Sequence, residues 1–150
     1  MRLSVLVVLL FISTYSAKAQ LLKDYDLSGY WTGVLTQDQG GYAEEYFFNL
    51  QLRKDGDQLV GSARVGVGDI KAEMSLRATQ KPDGSWRFEE NKILRAQAPE
   101  HLEWCLKIYV LKLSYDDKNQ LILTGPWWGF SPNNTCVPGK IRLKRPNKRV

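Results

Sequence analysis

The stretch that decides the fold is IKAEMSLRAT, residues 70–79, in which apolar and polar side chains alternate without a break. A period of two places successive side chains on opposite faces of an extended chain, so this stretch predicts a strand with one buried face. Residues 46–53 alternate in the same way, and residues 59–65 form a third run with small side chains on one face. The sequence after residue 20 shows no helical period, so we predict an all-β chain.

Turn residues separate these runs at regular intervals. Asp-Gly pairs stand at 55–56 and 83–84, and glycine tolerates the positive φ that tight hairpin turns need. The runs between turns predict eight strands, at residues 29–37, 42–53, 58–66, 70–80, 85–95, 102–115, 120–126 and 139–145. Because nearly all connections are short, we expect a single antiparallel up-and-down barrel of eight strands. A two-sheet β-sandwich is the alternative.

The first nineteen residues have the pattern of a cleavable signal peptide. Arg2 precedes an apolar run from Leu3 to Ile12, and Ala17-Lys18-Ala19 supplies the small residues of a cleavage site. The run is shorter than the ~20 residues of a membrane-spanning helix, and every later run is interrupted by charge. We therefore expect an exported bacterial protein, secreted or periplasmic, with no transmembrane segment after cleavage. Its predicted parts are a signal peptide at 1–19, a β-barrel domain at 20–145 and a basic tail at 146–150.

The chain contains two cysteines, Cys105 and Cys136. In an oxidising compartment such a pair predicts one disulfide, with free thiols as the alternative. Their spacing is not that of a CxxC redox or zinc motif.

Basic residues are concentrated near the C-terminus. The mature chain carries about +3 (19 basic against 16 acidic residues), but residues 20–117 carry about −4 and the remainder +7. One interpretation of this skew is contact with an anionic surface of the cell envelope. The candidate residues are Lys140, Arg142, Lys144 and Arg145. The interpretation we favour is that they form only the solvent face of the last strand and a solubilising tail.

The first predicted strand contains Gly29-Tyr30-Trp31, a Gly-x-Trp motif. It resembles the opening strand of the calycin superfamily, which includes lipocalins, fatty-acid-binding proteins and avidins. The resemblance implies that Trp31 lies across the closed end of the barrel and that Arg142 or Lys144 packs over it by a cation–π contact. The chain lacks the Thr-Asp-Tyr segment, the long first loop and the C-terminal helix of lipocalins. The resemblance therefore implies an architecture and no particular ligand.

Residues suited to catalysis or metal binding do not form a recognisable motif. His101 is the only histidine, and no Gly-x-Ser-x-Gly nucleophile motif accompanies it. The carboxylate neighbours Glu44/Glu45 and Glu89/Glu90 would point to opposite faces of a strand, so neither pair could flank one glycosidic bond. We expect a protein that is not an enzyme and that has no catalytic residues, metal or cofactor.

The fifth predicted strand carries two charges on its apolar face. Glu90 and Lys92 follow Trp86 and Phe88 at a spacing of two residues. A regular strand would bury both charges, which is costly unless they pair. We favour the interpretation that a bulge near Glu90 places both in water; an interior pair contacting a polar ligand is the alternative.

Residues 125–130 read GPWWGF and are predicted to lie in a loop or at a strand end. Their aromatic side chains either form a solvent-facing binding surface or plug one end of the barrel. The predicted ligand site combines this stretch with the inward faces of the strands. Its residues are Trp31, Phe48, Met74, Trp86 and Phe88 in the interior, with Trp127 and Trp128 at the mouth.

Our functional hypothesis is a secreted small β-barrel protein that binds a small apolar or amphipathic ligand. The partner would be a small hydrophobic molecule or a glycan. The alternative is a non-enzymatic interaction module of the cell envelope, or a hydrolase inhibitor, that uses the aromatic stretch and the basic C-terminal strand. The sequence predicts no specific contact with nucleic acid.

Overall fold

The computed structural model describes residues 20–146, which form a closed antiparallel barrel. Each strand pairs with the next along the chain, and β8 closes the barrel against β1. The strands are β1 (Gly29–Thr36), β2 (Glu45–Asp55), β3 (Gln58–Val67), β4 (Ile70–Gln80), β5 (Trp86–Gln97), β6 (Leu106–Tyr115), β7 (Leu121–Phe130) and β8 (Gly139–Lys144). The predicted up-and-down barrel is confirmed, and the β-sandwich alternative is wrong.

A single helical turn at residues 20–23 precedes β1. Within residues 20–146 there is no helix long and apolar enough to cross a membrane. The predicted signal peptide, 1–19, and all but the first residue of the predicted tail lie outside the described residues.

Alternation of side chains along each strand builds the core. In β4, Ala72, Met74 and Leu76 are buried, whereas Lys71 and Arg77 on either side of them are exposed. A buried face on every strand joins one continuous cluster inside the barrel. Burial of apolar surface at about 25 cal/mol per Å² is therefore the main source of stability.

Two β-bulges interrupt the pairing of β4 with β5. Leu76 faces Glu90 and Ser75 faces Lys92, so Asn91 is an extra residue; Leu94 is extra in the same way further along. The first bulge turns Lys92 outward, as predicted, but it follows Glu90, which stays inside. The prediction that both charges lie in water is wrong for Glu90, whose side chain is fully buried.

The strands β5 and β6 pair over only four residues each, Trp86 to Glu89 with Ile108 to Leu111. Beyond Glu89 the two strands diverge, and β5 continues to Gln97 paired with β4 alone. Residues 98–105, which we call the mouth loop, connect them. This loop was predicted to be partly strand, because β6 was expected to start at 102 rather than at Leu106.

The seventh strand is longer than predicted and contains the aromatic stretch. It ends at Phe130 rather than at residue 126, so Trp127 and Trp128 are strand residues and not loop residues. Pro126 has no N–H to donate, and the pairing with β6 omits the positions opposite Gly125 and Pro126. A Cβ on Gly125 would lie 1.9 Å from the carbonyl oxygen of Val110, so glycine is required where these backbones approach.

The closed end of the barrel is built around Trp31. Its indole Nε1 donates to the carbonyl oxygen of Leu27 at 2.8 Å, and its side chain is fully buried. The guanidinium of Arg145 lies 4.6 Å from the Trp31 ring centroid and donates to the carbonyl oxygen of Asp26. The expected cation–π contact therefore exists, but its cation is Arg145. Arg142 and Lys144 were the wrong residues, because alternation along β8 points both outward.

Candidate ligand-binding site at the barrel mouth

The middle of the barrel is filled by side chains. The rings of Phe88 and Tyr109 stack with centroids 5.0 Å apart, and Phe48 meets Tyr109 edge-on at 5.6 Å. All three residues are 0% exposed, as is Met74. These residues therefore form a packed core. The open space inside the barrel lies at the end opposite Trp31.

A cavity of about 110 Å³ lies at that end, which we call the mouth cavity. Its walls come from the ends of several strands and from the mouth loop. Most of its lining side chains are apolar or aromatic, and two are charged. The residues that line it are Leu35, Gln37, Tyr42, Tyr46, Val65, Ile70, Ala98, Leu102, Glu103, Trp104, Cys105, Lys107 and Trp127.

The mouth loop is tied to the opposite side of the opening. A disulfide joins Cys105 to Cys136, as predicted. Glu103 also accepts hydrogen bonds from Ser131, at 2.6 Å, and from Asn133. These hydrogen bonds lower the pKa of Glu103. The loop is therefore held over the mouth at two adjacent points, which gives the cavity a fixed wall.

Two indoles form the apolar part of this wall. Trp127 is 2% exposed, and its Nε1 donates to the carbonyl oxygen of Thr36 at 2.8 Å. It lies opposite Gly139 on β8, where a Cβ would meet the Thr36 carbonyl oxygen at 1.8 Å. Trp104, from the mouth loop, has a buried Nε1 without a hydrogen-bond partner among residues 20–146. The N–H of the Trp127 indole is therefore hydrogen-bonded, whereas that of the Trp104 indole has no partner among residues 20–146.

A hydrogen-bonded rim fixes the other side of the cavity. The Tyr46 hydroxyl donates to Oε1 of Gln37 at 2.7 Å and accepts from the backbone N–H of Ala43. Gln37 in turn donates through Nε2 to the carbonyl oxygen of Val137. Burial raises the pKa of the Tyr46 phenol, so this donor keeps its proton. The rim therefore links the β1–β2 and β7–β8 connections.

A buried ion pair lies below the mouth. The Nζ of Lys107 is 2.9 Å from Oε2 of Glu90, and the two side chains are 3% and 0% exposed. The same oxygen accepts the backbone N–H of Lys107, while Nζ also donates to the carbonyl oxygen of Cys105 at 3.3 Å. Burial raises the pKa of Glu90, and the positive charge of Lys107 opposes that effect.

Two buried oxygens, one in this pair and one beside it, lack a hydrogen-bond partner among residues 20–146. They are Oε1 of Glu90 and the hydroxyl of Tyr109. Burial raises the pKa of Tyr109 well above its usual value, and the nearby Glu90 adds to the effect. Unpaired buried polar atoms are costly in a folded protein, and these two lie where the ion pair meets the aromatic core.

The predicted ligand residues are spread over different parts of the barrel. Trp127 lines the mouth cavity, whereas Trp128, the next residue, lies on the outer face with the Arg87 guanidinium 5.9 Å from its ring centroid. Trp31 belongs to the closed end, and Trp86 lines a surface groove with residues of the N-terminal segment there. Of the seven, only Trp127 is part of the mouth cavity.

Lys107 was missed by sequence reasoning because its partner Glu90 is on another strand. The signal was present: Lys107 is followed at a spacing of two by Tyr109, Leu111 and Leu113, so alternation alone places it inside. A lysine on the buried face of a strand requires a buried anion, and Glu90 was the candidate.

The four basic residues predicted to contact an anionic surface separate into two groups. Lys140, Arg142 and Lys144 alternate with buried residues along β8 and point outward. Arg142 pairs with Asp116 at 3.2 Å. Arg145 is held at the closed end by Trp31, Tyr25 and Asp26.

A comparison of the chain with protein families, with curated proteins and with solved structures finds no match. Residues 20–146 also contain no group of three or more His, Cys, Asp or Glu side chains placed to hold a metal ion.

Proposed function

We propose that this protein binds the apolar part of a small amphipathic molecule in the mouth cavity. The observation that carries the proposal is the mouth cavity itself, an aromatic-lined recess with a buried cation, Lys107, in its wall. Binding sites for small molecules combine an apolar lining with a few polar groups that orient the ligand. Here the charged side chains of the lining are Lys107 and Glu103.

The size of the cavity limits the ligand. Drug-sized pockets measure roughly 300–1,000 Å³, and an apolar cavity of about 150 Å³ accepts a benzene ring. At about 110 Å³, the mouth cavity takes a short alkyl chain or a small ring and leaves the polar end of the ligand at the rim. The packed aromatic core below it supports this shallow mode of binding over burial of a whole ligand in the lumen.

We further propose that the protein acts outside the cytoplasm, secreted or periplasmic. The signal-peptide pattern of residues 1–19 supports this location, and so does the disulfide between Cys105 and Cys136.

Calorimetric titration with 1-hexanol and hexanoate tests the ligand proposal. We expect saturable binding to one site, and we expect Ala98→Leu to abolish it because the larger side chain fills the cavity. Trp128→Ala is the matched control, since it removes an indole that lies outside the cavity. Absence of binding to the wild type, or equal binding to Ala98→Leu, would contradict the proposal.

A second candidate function rests on the outward face of β8. Lys140, Arg142 and Lys144 form a row of three cations on one strand, which supports contact with an anionic envelope surface. Replacing all three by glutamine should abolish salt-sensitive co-sedimentation with vesicles containing anionic phospholipid. Retention of vesicle binding in that variant would exclude this role for β8.

A further inference from the structure

We propose that the outer surface of the β2–β5 wall carries a second binding site, which takes a sugar ring bearing a carboxylate. A cleft of about 440 Å³ lies on this surface, and we call it the outer cleft. The lining residues on which the proposal rests come from four neighbouring strands and are Phe47, Arg64, Lys71, Glu73 and Arg95. Its volume falls within the range of ligand pockets, roughly 300–1,000 Å³. The inference does not depend on the mouth cavity.

The aromatic surface of the cleft is Phe47. This side chain points out of the barrel and is 44% exposed. Exposure of a phenylalanine ring to water does not contribute to the stability of the barrel. It pairs across the sheet with Gly66, and a Cβ there would lie 2.7 Å from Cε1 of Phe47. The ring therefore rests against bare backbone. An exposed aromatic face held in this way is a stacking surface for the C–H face of a pyranose.

The charged part of the cleft is a row across three strands. Arg64 on β3 pairs with Glu73 on β4, and Glu73 pairs with Arg95 on β5. Arg95 Nη2 donates to one Glu73 oxygen at 2.5 Å, and Arg64 Nε lies 3.5 Å from the other. One carboxylate thus positions two guanidinium groups. The hydrogen bond from Arg95 lowers the pKa of Glu73, so this anchor stays ionised.

The two arginines retain donors for a ligand. Each guanidinium has five N–H groups in a rigid fork, and Glu73 occupies only an edge of each. The Arg64 and Arg95 side chains are 60% and 77% exposed. With Lys71 beside them, the cleft holds three positive charges against one negative charge. This excess favours an anion, and the fork geometry suits a carboxylate.

The bulges of β5 have a role in this arrangement. The first bulge, at Asn91, reverses the inside/outside order of the residues that follow it. The second, at Leu94, restores it and sets Arg95 opposite Glu73 on the outer face. Bulges commonly re-aim side chains beside binding sites. An apolar chain alone would leave the three cations unused, and a simple anion would leave Phe47 unused; a carboxylated sugar ring uses both.

Calorimetric titration of the whole protein with trigalacturonate tests the inference, with the neutral trisaccharide galactotriose as the matched ligand. We expect binding of trigalacturonate and at least a tenfold weaker response to galactotriose. Phe47→Ala and Arg95→Gln should each weaken trigalacturonate binding about tenfold. Tyr30→Ala, which removes an exposed aromatic ring from the outer face of β1, should leave the affinity unchanged.

Equal affinity for the two trisaccharides, or no detectable binding of trigalacturonate, would overturn the inference. So would unchanged affinity in Phe47→Ala. The cavity-filling variant Ala98→Leu separates the two sites: it should abolish hexanol binding at the mouth and leave trigalacturonate binding intact. Loss of trigalacturonate binding in Ala98→Leu would place that ligand at the mouth and also overturn the assignment to the outer cleft.

Discussion

The Nζ of Lys107 lies 2.9 Å from Oε2 of Glu90 and 5.9 Å from the ring centroid of Phe48 in the aromatic core. A buried pair of this kind stabilises a fold weakly when intact, because desolvation offsets the Coulomb attraction. Removing one partner is costly, because the remaining charge has no counterion. The pair therefore connects the start of β6 to the point at which β5 diverges from β6.

Loss of the Lys107 charge should destabilise the protein more than loss of the whole pair. Lys107→Met leaves Glu90 buried without its cation and should lower the free energy of unfolding by about 3–5 kcal/mol. The double variant Glu90→Leu/Lys107→Met should recover most of this loss. Urea unfolding of the wild type and of the two variants measures the three free energies of unfolding. A double variant as unstable as Lys107→Met would contradict a pairwise role.

The raised pKa of Glu90 gives a specific pH dependence. Because the folded-state pKa lies above the ordinary value of 4.5, its contribution to stability is complete below pH 4.5 and is lost as pH rises through the folded-state pKa. Lys107 and Tyr109 are the groups that interact with this carboxyl.

Comparison with Glu90→Gln isolates this contribution. Between pH 4.5 and the folded-state pKa of Glu90, the stability of the wild type minus that of Glu90→Gln should fall by up to about 1.4 kcal/mol per pH unit and level off above that pKa. Urea unfolding at a series of pH values gives the difference. The carboxyls with lowered pKa, such as Glu73 and Asp116, are present in both proteins and cancel. A difference that grows with pH would show that the folded state favours the ionised form.

Removal of the disulfide should destabilise the barrel and loosen its mouth. The two cysteines are separated by 31 residues, and a loop of this length predicts a loss of roughly 3–4 kcal/mol for Cys105→Ala/Cys136→Ala. Chemical denaturation with and without a reductant measures the loss. The reductant should destabilise the wild type and have no effect on the double variant. An equal effect on both would indicate that the disulfide is not its target.

The Arg145 side chain should contribute more to stability than that of Lys144, the last residue of β8. Arg145 lies over Trp31 and Tyr25, so Arg145→Ala should cost about 1–2 kcal/mol through lost cation–π contact and packing. Lys144→Ala removes an outward side chain and should cost less than about 0.5 kcal/mol. Thermal unfolding of the two variants distinguishes them. Equal losses would mean that Arg145 does not cap the closed end.

The strands could be predicted because alternation persists where the barrel is regular. It fails at two places for physical reasons. In β5 the bulge at Asn91 changes the face of Lys92, and a bulge depends on the neighbouring strand as well as on local sequence. In β7 the pair Gly125-Pro126 reads as a strand terminator, yet the close approach of β6 makes glycine the residue that continues the strand.

The candidate site was less predictable than the fold. Trp127 was identified from the unusual composition of its segment, but Trp104 reaches the mouth cavity through the path of the mouth loop, and Lys107 follows directly at the start of β6. That path follows from the divergence of β5 and β6 and from the disulfide. The outer cleft depends on cross-strand neighbours such as Phe47 and Gly66, and these are fixed by register between strands.

The most direct test of the central claim uses the indole N–H signals of the five tryptophans in a ¹H–¹⁵N spectrum. Ligand entry at the mouth should move the signals of Trp104 and Trp127 during titration with 1-hexanol. Those of Trp31, Trp86 and Trp128 should stay in place, because these indoles lie at the closed end or on the outer face. Movement of the Trp31 or Trp128 signal with Trp104 and Trp127 unchanged would contradict a binding site at the mouth.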